Sequence, residues 1–120
     1  MKKGQRALEL MGTAARRRGR DNERRVLQAL LEGARPEWLE SARMATNEED
    51  HRGIDVVVAS DVGDLYLQVK SSKTGAKAAR PSPHRALVIA RAGEPLATIK
   101  GRALTALAAL RKSYLDRRSR

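Results

Sequence analysis

Residues 54–69 read Ile-Asp-Val-Val-Val-Ala-Ser-Asp-Val-Gly-Asp-Leu-Tyr-Leu-Gln-Val, and this stretch decides the fold. Its two ends, 54–59 and 65–69, are rich in β-branched and aromatic residues, which favour strands. Asp61-Val62-Gly63-Asp64 between them has the composition of a turn. The stretch therefore predicts two neighbouring antiparallel strands joined by a short connection.

The position of the turn sets which residues lie opposite each other. A turn centred between Val62 and Gly63 places Asp55 opposite Lys70 and Gln68 opposite Val57. Side chains alternate along a strand, so Asp55, Val57, Gln68 and Lys70 share one face. The other face is wholly apolar and is the predicted core face, formed by Ile54, Val56, Val58, Leu65, Leu67 and Val69.

An acid, an amide and a lysine on one sheet face fit two interpretations. The first is an Asp–Lys pair on a solvated surface, which contributes only about 0.2–1 kcal/mol. The second is a site for a hard divalent cation, where Asp55 and Gln68 supply oxygen ligands. Lys70 would then orient or deprotonate a water molecule, or balance the charge of a phosphate. The geometry alone leaves both interpretations open.

The N-terminal half of the chain predicts helical and irregular segments before the hairpin. Asp21 or Asn22 is the expected cap of a helix that ends near Gly33. Its inward residues at helical spacing are Val26, Leu27, Leu30 and Leu31. A turn or short helix then packs Trp38 on the core. It is followed by a short strand over 42–46 and a polar loop over 47–53.

The C-terminal half predicts a basic loop, one or two strands and a closing helix. Residues 71–83 are rich in Ser, Gly, Ala, Lys and Pro, which favours a loop. We expect a strand at 86–90, a possible strand at 96–100 and a helix at 102–115. The expected inward residues of that helix are Leu104, Leu107, Ala108, Leu110 and Leu115. The whole order predicts a mixed α/β or α+β sandwich.

Composition narrows the classes of function. The 120 residues carry a net charge of +11, and nucleic acid is the default partner of so basic a domain, with an anionic membrane surface as the lesser possibility. The chain has no Cys, which excludes disulfides, zinc fingers and thiol catalysis. Its only aromatic residues are Trp38, Tyr66 and Tyr114, too few for a surface that stacks several bases.

The charge is unevenly distributed along the chain. Residues 1–25 have a net charge of +6, residues 37–64 of −6 and residues 70–120 of +11. An acidic centre between basic flanks suits a metal ion in the middle and phosphates at the sides, although acids clustered in solvated loops give the same pattern. We expect a basic flexible arm over 1–18 and a single domain over 19–120. No apolar run fits a membrane span or a secretory signal, so we expect a cytoplasmic protein.

Three sequence features resemble the PD-(D/E)xK nuclease superfamily. They are Gly53-Ile54-Asp55-Val56-Val57-Val58, then Leu67-Gln68-Val69-Lys70-Ser71, and Glu23 on the first predicted helix. The Ser after the Lys is frequent in the small archaeal-type Holliday junction resolvases of this superfamily. The resemblance covers about residues 19–72. It implies a restriction-endonuclease-like core, in which helices flank a central mixed sheet of four to five strands.

The chain departs from the superfamily pattern at two places. Gln68 stands where an acid is usual, and Glu23, Glu49 or Asp50 would have to restore the missing charge. Residues 71–85 are short and Pro-rich for the crossover helix that such a fold carries.

The resemblance implies a Mg²⁺-dependent DNA endonuclease, with Mn²⁺ able to substitute. It would act as a homodimer on branched or duplex DNA, in the manner of a Holliday junction resolvase. The implied catalytic residues are Glu23, Asp55, Gln68 and Lys70, with Asp55, Gln68 and Glu23 as metal ligands. The expected DNA contacts are Arg16, Arg17, Arg18, Arg20, Ser71, Ser72, Lys73, Lys77 and Arg80, with Arg85 in the same basic loop.

Three alternatives remain open. The first is a restriction-like or phage nuclease with a short sequence preference. The second is a nucleic-acid-binding protein that keeps this fold without cleavage, to which Gln68 points. The third is a basic module associated with RNA or the ribosome, against which the acidic centre and the scarce aromatic residues argue.

Overall fold

The computed structural model describes residues 20–72 and 83–119. Within these residues the chain is a mixed α/β structure in which helices flank a four-stranded sheet, which confirms the predicted fold class. The elements are α1 (20–31), β1 (Leu39–Met44), α2 (Asn47–His51), β2 (Val56–Ser60), β3 (Gly63–Lys70), β4 (Arg85–Ile89) and α3 (Leu96–Arg118).

The sheet has the order β1-β2-β3-β4. The pairs β1–β2 and β2–β3 are antiparallel, and β3–β4 is parallel. Two neighbouring parallel strands need a crossover connection, which leads from the end of the first strand to the start of the second. Here the chain between Lys70 and Arg85 makes that connection, and the predicted basic loop within it falls largely on residues 73–82, outside the described residues.

One face of the sheet carries the core. Both long helices belong to the same buried cluster as this face, α1 through Val26, Ala29 and Leu30, and α3 through Ile99, Ala103, Leu107 and Leu110. The sheet contributes alternate residues to the cluster, as predicted from the two-residue period: Val56, Val58, Leu65, Leu67 and Val88. Trp38 packs against the cluster as expected, whereas Ile54 lies before β2 and outside it.

The hairpin register differs from the prediction by two residues. Ser60 pairs with Gly63 and Val57 with Tyr66, so the turn is centred between Asp61 and Val62. The Ser60 hydroxyl accepts from the Val62 amide at 3.2 Å and donates to the Gly63 carbonyl at 2.7 Å, and this bonding fixes the tighter turn. Because the shift is an even number, every side chain keeps its predicted face.

The predicted pair of Asp55 with Lys70 is therefore wrong. Lys70 is the last residue of β3 and pairs with Ile89 of β4, beyond the end of β2. The prediction of Gln68 opposite Val57 is wrong because of the same shift, since Val57 pairs with Tyr66. These residues still share the sheet face opposite the core.

The segment predicted as a polar loop forms α2. Thr46 is its N-cap and accepts from the Glu49 amide, while the Glu49 carboxylate accepts from the Thr46 amide. This reciprocal capping box stabilises a helix of five residues that buries none of its side chains. The preceding strand is also earlier than predicted, because buried Leu39 begins β1.

The two long helices also begin earlier than predicted. Residue 20 is already helical, so neither Asp21 nor Asn22 caps α1. Pro95 is the N-cap of α3, which makes the expected strand at 96–100 the first turn of that helix. The inward stripes change accordingly. Leu31, Ala108 and Leu115 are exposed, and Leu104 packs only at the edge of the core.

The last helix is also the longest in the described part of the chain, with 23 residues. No helix of residues 20–72 and 83–119 combines the length and the apolar character that a membrane crossing requires.

Candidate metal centre

Asp55 lies where β2 and β3 separate. Its backbone amide donates to the Leu67 carbonyl at 2.8 Å, but the pairing of the two strands extends no further than Val56 with Leu67. The next amide of β3 that faces β2 belongs to Val69, and it donates to Asp55 Oδ2 at 2.7 Å. The carboxylate thus takes the place of a backbone acceptor, which fixes its position at the split in the sheet.

Two further carboxylates converge on Asp55. Glu23 comes from α1 and Asp50 from α2, and one carboxylate oxygen of each of the three residues lies within 4.8 Å of the others. Ligand oxygens bind Mg²⁺ at about 2.1 Å and Ca²⁺ at about 2.3–2.6 Å, so two oxygens on one ion are separated by at most about 4.2 Å on Mg²⁺ and about 5 Å on Ca²⁺. A spacing within 4.8 Å is therefore close to that of three ligands of a single hard cation. We call Glu23, Asp50 and Asp55 the acidic triad.

The capping box of α2 determines which acids of that helix take part. Glu49 accepts from Arg43 at 2.7 Å as well as from the Thr46 amide, and these bonds lower the pKa of Glu49 to about 2. Glu49 is therefore held at the start of α2 and is not a member of the acidic triad. Asp50 is the next residue, and the same helix directs it to the triad. Of the three residues named for restoring the missing charge, Glu23 and Asp50 lie in the triad and Glu49 does not.

Without a cation, the three carboxylates of the acidic triad repel one another when they are ionised. Partial burial, followed by the Asp55 carboxylate, raises the pKa of Glu23 from its ordinary 4.5 to about 7, while Arg20 opposes the shift. Burial also raises the pKa of Asp55, although the Val69 amide acts in the opposite direction. A proton on Glu23 is therefore favoured beside the Asp55 carboxylate near neutral pH. A divalent cation could replace that proton.

The triad opens into a cleft of about 500 Å³. Basic and small polar side chains surround the acids, and the cleft is lined by Arg20, Glu23, Arg24, Met44, Ala45, Thr46, Asn47, Asp50 and Asp55. Two guanidinium groups beside three carboxylates give a site that can hold both a cation and an anion.

The other two predicted catalytic residues, Gln68 and Lys70, are not among the residues that line this cleft. Gln68 shares the sheet face of the triad, and its amide nitrogen lies close to Gly53, 3.4 Å from where a Cβ at that glycine would be. Lys70 is half-buried and forms no ion pair with an acid of the described residues. The structure thus brings Glu23 and Asp55 together, and the catalytic and metal-binding roles of Glu23, Asp55, Gln68 and Lys70 stay predictions.

The predicted DNA contacts are only partly within the described residues. Arg20 is exposed and lines the cleft, and Ser71 and Ser72 are exposed directly after β3. The others lie outside the described residues: Arg16, Arg17, Arg18, Lys73, Lys77 and Arg80. Arg85, which was expected in the basic loop, begins β4 instead.

The raised pKa of Glu23 predicts how pH affects the metal-free protein. Its folded-state value near 7 lies above the unfolded value of 4.5, so its stabilising contribution is complete below pH 4.5 and is lost as pH rises through 7. Urea unfolding in a chelator, at about pH 5.5 and about pH 8.5, is expected to show a larger loss of stability in the parent than in Glu23→Gln. All other titrating groups are common to both proteins. Parallel pH profiles would contradict the raised pKa of Glu23.

The sequence analysis named Asp50 only as one of three acids that could restore charge at the centre. The signal that could have selected it is the capping pattern Thr46-x-x-Glu49, which makes 47–51 helical. The place of Arg24 in the lining of the cleft, one position after Glu23 on α1, was not predicted. Comparisons of the chain with protein-family models, with curated proteins and with solved structures find no match.

Proposed function

We propose that this chain is a metal-dependent endonuclease that hydrolyses phosphodiester bonds in DNA. In this proposal it has a restriction-endonuclease-like core, acts in the cytoplasm and prefers branched DNA, as a Holliday junction resolvase does. The homodimer expected from the sequence is part of the same proposal.

The convergence of Glu23, Asp50 and Asp55 at the split between β2 and β3 carries this proposal. Three elements that are separate in sequence bring acids to one point, although mutual repulsion makes such an arrangement unfavourable without a partner. Carboxylate oxygens are the ligands that Mg²⁺ and Mn²⁺ prefer. The triad would hold the ion, which supplies positive charge to the phosphate as its bond breaks.

The residues around the triad support a phosphate as the group acted upon. Arg20 and Arg24 line the same cleft, and guanidinium groups bind phosphate oxygens in pairs of hydrogen bonds. Lys70 would orient the attacking water molecule or remove a proton from it. The large excess of positive charge, +11 over the chain, favours a polyanion over a small phosphate ester.

A nucleic-acid-binding protein without cleavage is the second candidate. Gln68 favours it, because a neutral amide stands where an acid is usual in the superfamily that the chain resembles. A neutral oxygen binds a hard cation less strongly than a carboxylate does. Asp50 compensates for this only if it binds the metal directly.

The test is cleavage by the purified full chain with Mg²⁺ or Mn²⁺. The substrates are a four-way junction, a linear duplex, single-stranded DNA and RNA of matched length. We expect cleavage of the junction to exceed that of the other substrates and to stop in a chelator. Gln68→Glu is expected to preserve or raise the rate, because it restores an acid at the ligand position.

Glu23→Gln, purified in parallel, controls for contaminating nucleases, since it alters the triad and leaves the purification unchanged. Cleavage that is equal in this variant would come from a contaminant. If the parent and Gln68→Glu both bind DNA and cut none of the substrates, the enzyme proposal is wrong and the binding protein takes its place.

A further inference from the structure

Arg85 reaches across the sheet to the loop between α2 and β2. It begins β4, where it pairs with Tyr66, and this register places it on the sheet face that carries Gln68. Its NH1 group donates to the backbone carbonyl of Arg52 at 2.9 Å. Arg85 therefore links β4 directly to the loop that precedes β2, although β3 lies between these two strands.

Gly53 makes room for this contact. A Cβ at Gly53 would lie 2.5 Å from Arg85 NH1 and 3.4 Å from the amide nitrogen of Gln68, so any larger residue would displace the guanidinium. Gly53 also has φ +82°, a conformation that glycine adopts without strain. The close approach and the backbone conformation both require glycine at the point where Arg85 is bound.

The loop that Arg85 holds joins two members of the acidic triad. The Gly53 amide donates to the Asp50 carbonyl at 2.9 Å, and the Ile54 amide donates to the Glu49 carbonyl at 3.0 Å. Asp50 lies three residues before Gly53, and Asp55 lies two residues after it. The position of this short loop therefore sets the separation of the two carboxylates.

Other bonds hold the two ends of this loop, and Arg85 binds between them. Before the loop, Arg43 of β1 binds the Glu49 carboxylate at 2.7 and 3.1 Å. After it, the Asp55 amide donates to the Leu67 carbonyl at 2.8 Å. Helix α2 buries none of its side chains. The bond from Arg85 to the Arg52 carbonyl is a further restraint on the middle of the loop, and it comes from a strand that contributes no acid to the triad.

We propose that Arg85 is a positioning residue of the metal centre: through the Arg52 carbonyl and over Gly53, it holds the α2–β2 loop so that Asp50 and Asp55 can bind one divalent cation together. This inference rests on the proposed function. It assigns to Arg85 a role other than the phosphate contact expected from the sequence. Substitution of residues that orient metal ligands without binding the metal themselves commonly lowers metal affinity by about 10–100-fold.

The test is Mn²⁺ binding by the full chain, measured by calorimetry together with the urea unfolding midpoint of each variant. Arg85→Ala is expected to bind Mn²⁺ at least about tenfold more weakly than the parent. Arg85→Lys keeps the charge and one donor, and is expected to fall between the two. Arg52→Ala is the matched control, because it removes an equal positive charge at the point of contact and retains the carbonyl that Arg85 binds. Its affinity is expected to stay within about twofold of the parent.

Hydrogen exchange in the metal-free protein gives a second readout. Arg85→Ala is expected to speed exchange of the Gly53 and Ile54 amides, while Arg52→Ala leaves them protected. If Arg85→Ala does not fold, the comparison of Arg85→Lys with Arg52→Ala decides. Arg85 variants that bind Mn²⁺ as tightly as the parent overturn the inference and leave the proposed function standing. A parent that neither binds Mn²⁺ nor cuts DNA contradicts the proposed function itself.

Discussion

Asp55→Asn is expected to abolish Mn²⁺ binding in calorimetry and to slow DNA cleavage by at least about 10²-fold, without unfolding the protein. The asparagine oxygen can still accept from the Val69 amide, which donates to Asp55 Oδ2 at 2.7 Å in the parent. The substitution therefore removes a negative charge from the centre of the triad and keeps the bond that holds the end of β3.

Asp55→Ala provides the comparison that separates these two roles. It removes the charge and also leaves the Val69 amide without its acceptor, at a cost of about 1–3 kcal/mol where the amide is buried. Both variants are expected to lose metal binding, and only the alanine variant is expected to lose stability. Asp64→Asn makes the same chemical change at an exposed residue of β3 and serves as the control. Mn²⁺ binding by Asp55→Asn equal to that of the parent would place the cation elsewhere.

Lys70→Ala is expected to cut DNA at least about 10²-fold more slowly and to bind DNA almost as well as the parent. The half-buried Lys70 follows Val69, whose amide binds Asp55, and it pairs with no acid among the described residues. We expect its ammonium group to interact with the reacting groups only in the transition state. Such an interaction changes the rate of cleavage far more than the affinity for DNA.

Single-turnover cleavage and equilibrium binding of the same junction DNA would separate the two effects. Lys112→Ala removes an equal charge from an exposed position on α3 and is the matched control. A Lys70 variant that loses affinity and keeps its single-turnover rate would make this residue a phosphate contact. A variant that changes neither would remove Lys70 from the site.

Much of the sheet could be predicted because its signal is local. The alternation of apolar residues gave the core face of β2 and β3 correctly, and an error of two in the register left it unchanged. The register itself depends on contacts that the pattern does not contain. The Ser60 hydroxyl bonds both sides of the turn, Val62 is buried, and Arg111 of α3 binds the Asp61 carboxylate through two hydrogen bonds at 2.8 and 2.7 Å.

The candidate centre was predictable only in part, because its members come from three elements. Glu23 and Asp55 were named from their order along the chain, which the resemblance supplied. Asp50 was named only as one of three possible acids, and the sequence could not select it because α2 has no apolar face and therefore no helical periodicity. Arg85 was misplaced because its contact with the Arg52 carbonyl joins residues 33 apart in sequence.

The attachment of α1 to the last helix has a consequence for the order of assembly. Lys100 donates to the Glu32 carbonyl at the end of α1, and Arg25 donates to the carbonyls of Arg91 and Glu94. Contacts across so many residues form late, because closing a long loop costs entropy before the contact stabilises it. During synthesis, Glu23 emerges well before the helix that secures its position. The three acids can therefore converge only on a nearly finished chain, so a nascent or truncated product that lacks α3 would have no formed acidic triad.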